Sequence, residues 1–100
     1  LDTLFLLDRD GTELGIIRAI PTDGHMLGNF APGPAFARHA ALFAQYEQAA
    51  EQQLLQEIER LEREIGQLGF MVATPDGARR RIADLQIMRA GIGFRWVDAD

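Results

Sequence analysis

The stretch from Pro34 to Gly69 constrains the fold most. Apolar residues recur at Phe36, Ala40, Phe43, Tyr46, Ala50, Leu54, Ile58, Leu61, Ile65 and Leu68. Every step is three or four positions, which draws one stripe along an α-helix. Pro34 suits a first helical turn, where its missing N–H is not needed, and Gly69 stands where a helix stop is expected. The other face carries Glu47, Glu51, Gln52, Gln56, Glu59 and Arg63, with Glu59 and Arg63 in the favourable i,i+4 order. The spacing predicts one long amphipathic helix over residues 36–67. A continuous helix over 34–68 would span about 50 Å at 1.5 Å per residue, against roughly 20 Å for a six-residue strand. Either the helix breaks near Ala49-Ala50, or another chain covers its overhang.

The flanks read as strands. Thr3–Leu7 and Leu14–Ile20 are apolar runs around an Asp10-Gly11 turn, and both faces of each are apolar. A sheet with one wet face would alternate instead, so these strands are expected to be covered on both sides. A turn at Pro21–Gly24 leads to a weaker strand at Met26–Phe30. After the helix come Phe70–Ala73, a Thr74-Pro75-Asp76-Gly77 turn of type I character, Ile82–Met88 and Ile92–Val97. A loop centred on Ala90-Gly91 would set Ile87 opposite Phe94 and Leu85 opposite Trp96. Ile82 is out of phase with Leu85, which predicts a bulge near Ala83-Asp84. The expected fold class is α+β: antiparallel hairpins around one long helix, in the order β-β-β-α-β-β-β, as a single domain over residues 1–100.

Composition narrows the function classes. The 100 residues contain no cysteine, serine or lysine. A disulfide scaffold, a thiolate metal site and a serine or cysteine nucleophile are therefore excluded. The net charge of −5 repels phosphate backbones at long range, so nucleic acid is not an expected partner. No apolar run reaches the roughly 18 residues of a membrane helix, and no signal peptide is expected. The absence of cysteine fits a reducing compartment, and arginine as the sole basic type fits a high-GC genome. A bacterial, cytoplasmic protein is the expectation.

Leu4-Phe5-Leu6-Leu7-Asp8-Arg9-Asp10-Gly11-Thr12 resembles the first motif of the haloacid-dehalogenase-like phosphatases, an apolar strand followed by Asp-x-Asp-Gly-Thr. The resemblance implies a nucleophile at Asp8, a general acid/base at Asp10 and a magnesium ion beside them. It covers about nine residues. That family also uses a parallel sheet with crossover helices, a lysine and a downstream acidic motif. Here Thr12 leads straight into a strand, lysine is absent, and the only later close pair of aspartates is Asp98 and Asp100. A turn is the simpler reading of the segment. The calcium-loop pattern fails at Glu13 and Ala19, where glycine and glutamate would be required. His25 and His39 have no partner at metal-ligand spacing, and Gly28–Gly33 lacks the Lys-Ser/Thr of a phosphate loop. No catalytic residue, cofactor or metal is expected.

Two candidate surfaces remain. Leu54, Leu55, Ile58, Leu61 and Ile65 form a stripe wider than one seam needs, which points to a helix-mediated homodimer. Arg79, Arg81 and Arg95 form a candidate anion-binding set near Phe94 and Trp96. The expected function is a non-catalytic interaction or regulatory module, self-associating as a homodimer or meeting another protein. The alternatives are an arginine-lined binder of an anionic ligand or nucleic acid, and then a phosphatase-like enzyme using Asp8 and Asp10.

Overall fold

A computed structural model describes residues 1–97. Among these residues the chain is mixed α+β, with six antiparallel strands and two helices. The strands are β1 (Asp2–Leu7), β2 (Glu13–Thr22), β3 (His25–Pro32), β4 (Met71–Ala73), β5 (Arg79–Met88) and β6 (Gly91–Trp96). They close into a barrel in the order β1-β2-β3-β6-β5-β4. A short 3-10 turn at Pro34–Phe36 leads into α1 (Ala37–Glu51), and α2 (Leu55–Gln67) follows.

The first two strands are expected to be covered on both sides, but on β2 barrel closure buries only the inner face; Ile16 and Ile20 stay 38% and 48% exposed outside. Facing pairs such as Leu4–Ile17 and Met26–Phe94 point inward and are buried. Gly15 sits across from Pro32, and a Cβ there would meet the Phe30 ring at 2.5 Å, so its missing side chain leaves room for that ring. The turns obey local chemistry. Asp23 and Gly24 both have positive φ, 51° and 84°, which is the two-residue turn that suits strand twist. Gly77 donates to the Thr74 carbonyl at 2.9 Å, closing the turn expected at Thr74–Gly77.

One long helix is not what forms. The helical segment breaks at Gln52–Leu54, three residues beyond Ala49-Ala50. Gln53 adopts φ 55°; its N–H donates to the Ala50 carbonyl at 3.2 Å, and the Leu54 N–H to Ala49 at 3.0 Å. These are the paired bonds of a Schellman stop, here built without glycine. The physical reason is size. A rod of about 50 Å exceeds the longest dimension of the fold, 39 Å, whereas a folded-back pair of helices buries Phe43, Tyr46, Leu61 and Ile65 in the same core as the barrel.

The β5–β6 register also differs from expectation. Ile87 faces Ile92, and Met88 faces Gly91 across an Arg89-Ala90 turn. The offset is two residues, so the same side chains still point inward. The bulge is present: pairing shifts between Ala83 and Gln86, and Asp84 takes φ 56°. That extra residue lets Ile82 and Leu85 both reach the core.

Candidate functional site

The Asp8–Thr12 segment builds a loop. The Asp8 carboxylate is buried and accepts the backbone N–H groups of Asp10 and Thr12, both at 2.9 Å. The Asp8 N–H donates to the Thr12 carbonyl at 3.0 Å. An aspartate that binds its own following amides is an Asx-type turn. Its neighbour Arg9 reaches across to donate to the Gln67 carbonyl at 2.7 Å, which caps the C-terminal end of α2 with a cation. Asp10 is exposed. The antiparallel barrel lacks the parallel sheet that the phosphatase resemblance implies, and Asp98 and Asp100 lie outside the described residues. Among the described residues no three His, Asp or Glu side chains converge. His39 packs edge-on against Phe70 at 5.1 Å between centroids.

The three candidate arginines are not brought together. Arg79 lies beside Gly11 in the β1–β2 loop. Arg95 donates to Asp84 at 2.9 Å. Arg81 borders a cavity against α2. Between them in sequence, Arg80 stacks over Trp96 at 4.0 Å, the opposite side of β5 from Arg79 and Arg81, as strand alternation requires.

The helix stripe is divided as well. Leu61 and Ile65 are buried in the chain's own core, 1% and 4% exposed, and are not available to a partner. Ile58 is half-buried against that core. Only Leu54 and Leu55 remain exposed. The exposed apolar surface that sequence periodicity missed lies on the outer wall of the barrel. Ile20 and Leu27 face each other across β2 and β3 at 48% and 45% exposure, and Ile16 is exposed four residues back along β2, beyond the Arg18–Asn29 pair. Next to this ridge runs a shallow groove of about 430 Å³, walled by Ile20, Leu27 and Met88 with Gly91 and Gly93 in its lining.

A deeper cavity of about 520 Å³ lies between α2 and the β4–β5 side of the barrel. Its apolar lining includes Ile65, Phe70, Met71, Ile82 and Leu85, and its polar lining Tyr46, Glu62, Arg81, Asp84 and Gln86. The bulge residues Ala83, Asp84 and Leu85 line it across from Glu62, Ile65 and Gly66. Tyr46 sits at the junction of three elements. Its hydroxyl donates to Glu62 Oε2 at 2.8 Å and accepts from Gln86 Nε2 at 3.4 Å. Burial, then the Glu62 carboxylate, pushes the Tyr46 phenol up to about 12, so its proton stays on the bond to Glu62. These three residues come from three separate elements, so no local spacing could have joined them.

No protein-family model matches the chain, and comparisons with curated proteins and with solved structures return no match. Among the described residues no helix is long and apolar enough to cross a membrane.

Proposed function

We propose that this chain is a non-catalytic interaction module whose contact surface is the outer wall of β2 and β3, and that its partner there is a second copy of itself. The observation that carries the reading is the facing pair Ile20 and Leu27, both nearly half exposed on strands whose inner faces are already buried. The wall complements itself. Its apolar ridge lies beside a groove with glycines in its lining, so a two-fold partner can seat ridge in groove.

Size sets the strength. A standard interface buries roughly 800 Å² per partner, and three partly exposed side chains fall well short of that. The dimer is therefore weak and reversible, with a Kd on the order of 10–100 μM, or about −6 kcal/mol. Sedimentation of the whole chain between about 10 μM and 1 mM tests this range of Kd values. A concentration-dependent dimer is expected. Leu27→Glu should abolish it by setting like charges across the two-fold, while Leu55→Glu at the exposed helix turn should leave it intact. A wild-type chain that remains monomeric at the highest concentration overturns the reading.

A further inference from the structure

We propose that the cavity between α2 and β5 is a binding site for a small zwitterion with an apolar body, of the size and chemistry of an apolar amino acid. The proposal is independent of self-association, which uses the β2–β3 ridge; Gln86 lines both this cavity and the groove beside that ridge.

Four observations carry it. The cavity, about 520 Å³, falls in the range of small-molecule sites, which run from roughly 300 to 1,000 Å³ and combine an apolar lining with a few convergent polar groups. Opposite charges enter from its two walls. Glu62 belongs to α2 and Arg81 to β5, both are exposed, and both line the cavity. They do not close into an ion pair, and among the described residues the Arg81 side chain has no acidic partner. The third cavity charge, Asp84, is held by Arg95 at 2.9 Å. The polar groups around Tyr46 include one charge, the Glu62 carboxylate. The single Tyr46 proton is committed to Glu62, and one Gln86 N–H is directed to Tyr46. What remains on that side is the Glu62 carboxylate, the Gln86 amide oxygen and the second Gln86 N–H; the carboxylate selects a cationic donor such as an ammonium. Arg81 selects a carboxylate, and Ile65, Phe70 and Leu85 select an apolar body.

The fourth observation is Gly66. Glycine inside a helix is destabilising relative to alanine, and a glycine there usually answers a backbone or packing need. Gly66 answers neither. Its φ is not positive, and a Cβ built on it would meet nothing within 4 Å. Gly69, three residues on, has φ 72° and is explained by the end of the helix. Gly66 lines the cavity, and the absence of a side chain keeps that lining open.

The test uses 8-anilinonaphthalene-1-sulfonate, which carries an anion, an N–H donor and an aromatic body, titrated by fluorescence into the whole chain. One site per chain is expected. Gly66→Phe should abolish that site without lowering the thermal midpoint, because the new ring enters open space and the helix loses a glycine. Arg81→Gln should weaken binding at least tenfold. Phenylalanine should displace the probe at a lower concentration than 3-phenylpropionate, which has the same ring and carboxylate but no ammonium for Glu62. Leu27→Glu should leave probe binding unchanged. Absence of a site in the wild-type chain, undiminished binding in Gly66→Phe, or equal displacement by 3-phenylpropionate each overturns the proposal. Loss of the probe site in Leu27→Glu also overturns it, since the probe would then be reporting the outer wall.

Discussion

The β2–β3 ribbon and the β4–β5–β6 ribbon belong to one barrel but are built to different standards of regularity. β2 and β3 keep unbroken register from Gly15–Pro32 to Thr22–His25. β5 meets β4 only over Met71–Ala73, and it breaks register against β6 between Ala83 and Gln86. On the regular ribbon the surplus apolar side chains Ile20 and Leu27 stand exposed on the outer wall. The irregular ribbon borders a cavity shared with α2, with polar groups from three elements.

The widest test of the comparison is whether the two regions share one folding unit. Phe94 is fully buried and pairs with Met26 of the regular ribbon. Phe94→Ala should cost about 3–5 kcal/mol. Urea unfolding followed by Trp96 fluorescence and by far-ultraviolet circular dichroism should give coincident transitions at a lower midpoint. Separate transitions for the two signals would break the picture of one barrel.

A smaller effect isolates the cavity side. Tyr46→Phe removes the hydroxyl that links α1 to α2 and β5, at a cost of about 1 kcal/mol. Its pH dependence is more telling. The phenol titrates near 12 when folded and near 10 when unfolded. A raised folded value means that the stabilisation is complete below about pH 10 and is lost as pH rises toward 12. Alkaline denaturation should therefore be steeper over that window in the wild-type chain than in Tyr46→Phe. Equal slopes would show that the hydroxyl is not held as described.

The smallest expected effects differ in size between the two ribbons. Asp84 holds the bulge at φ 56° and Gly24 the hairpin turn at φ 84°. Asp84→Gly relieves a left-handed backbone cost of about 1–2 kcal/mol, loses a surface ion pair worth under about 1 kcal/mol and adds unfolded-state entropy worth about 0.5–1 kcal/mol. The net expectation is a change within about 0.5 kcal/mol of zero. Gly24→Ala introduces the left-handed cost and should lose about 1 kcal/mol. The thermal midpoint should fall further in Gly24→Ala than in Asp84→Gly, and the reverse order would deny the contrast.

Much of this fold was legible in local chemistry. All six strands, the turns at Asp23-Gly24 and Thr74–Gly77, and the stop at Gly69 follow from periodicity and turn residues. The bulge was legible too, because Ile82 and Leu85 are three apart in a strand whose inward positions must be even in spacing. The helix break was legible only from length, as one of two outcomes and near Ala49-Ala50; its place at Gln52–Leu54 was not. Gln52-Gln53 carries no glycine or proline, and the apolar stripe runs through it without a change of phase. The stop is imposed by a barrel too short for the rod, which drives α2 back onto α1.

The sequence alone therefore determined the kinds of element and their approximate order, since these rest on contacts between residues a few positions apart, but not that the helical stretch forms two helices. Only the tertiary structure decided which apolar residues remained exposed. Leu61 and Leu55 look alike as members of one helical stripe, yet one is 1% exposed and the other 71%. Barrel closure also buried the inner face of β2 and left Ile20 outside. The cavity was decided at the same level: Tyr46, Glu62 and Gln86 are 16 and 40 positions apart, and only the closure of the barrel against the folded-back helices makes them neighbours.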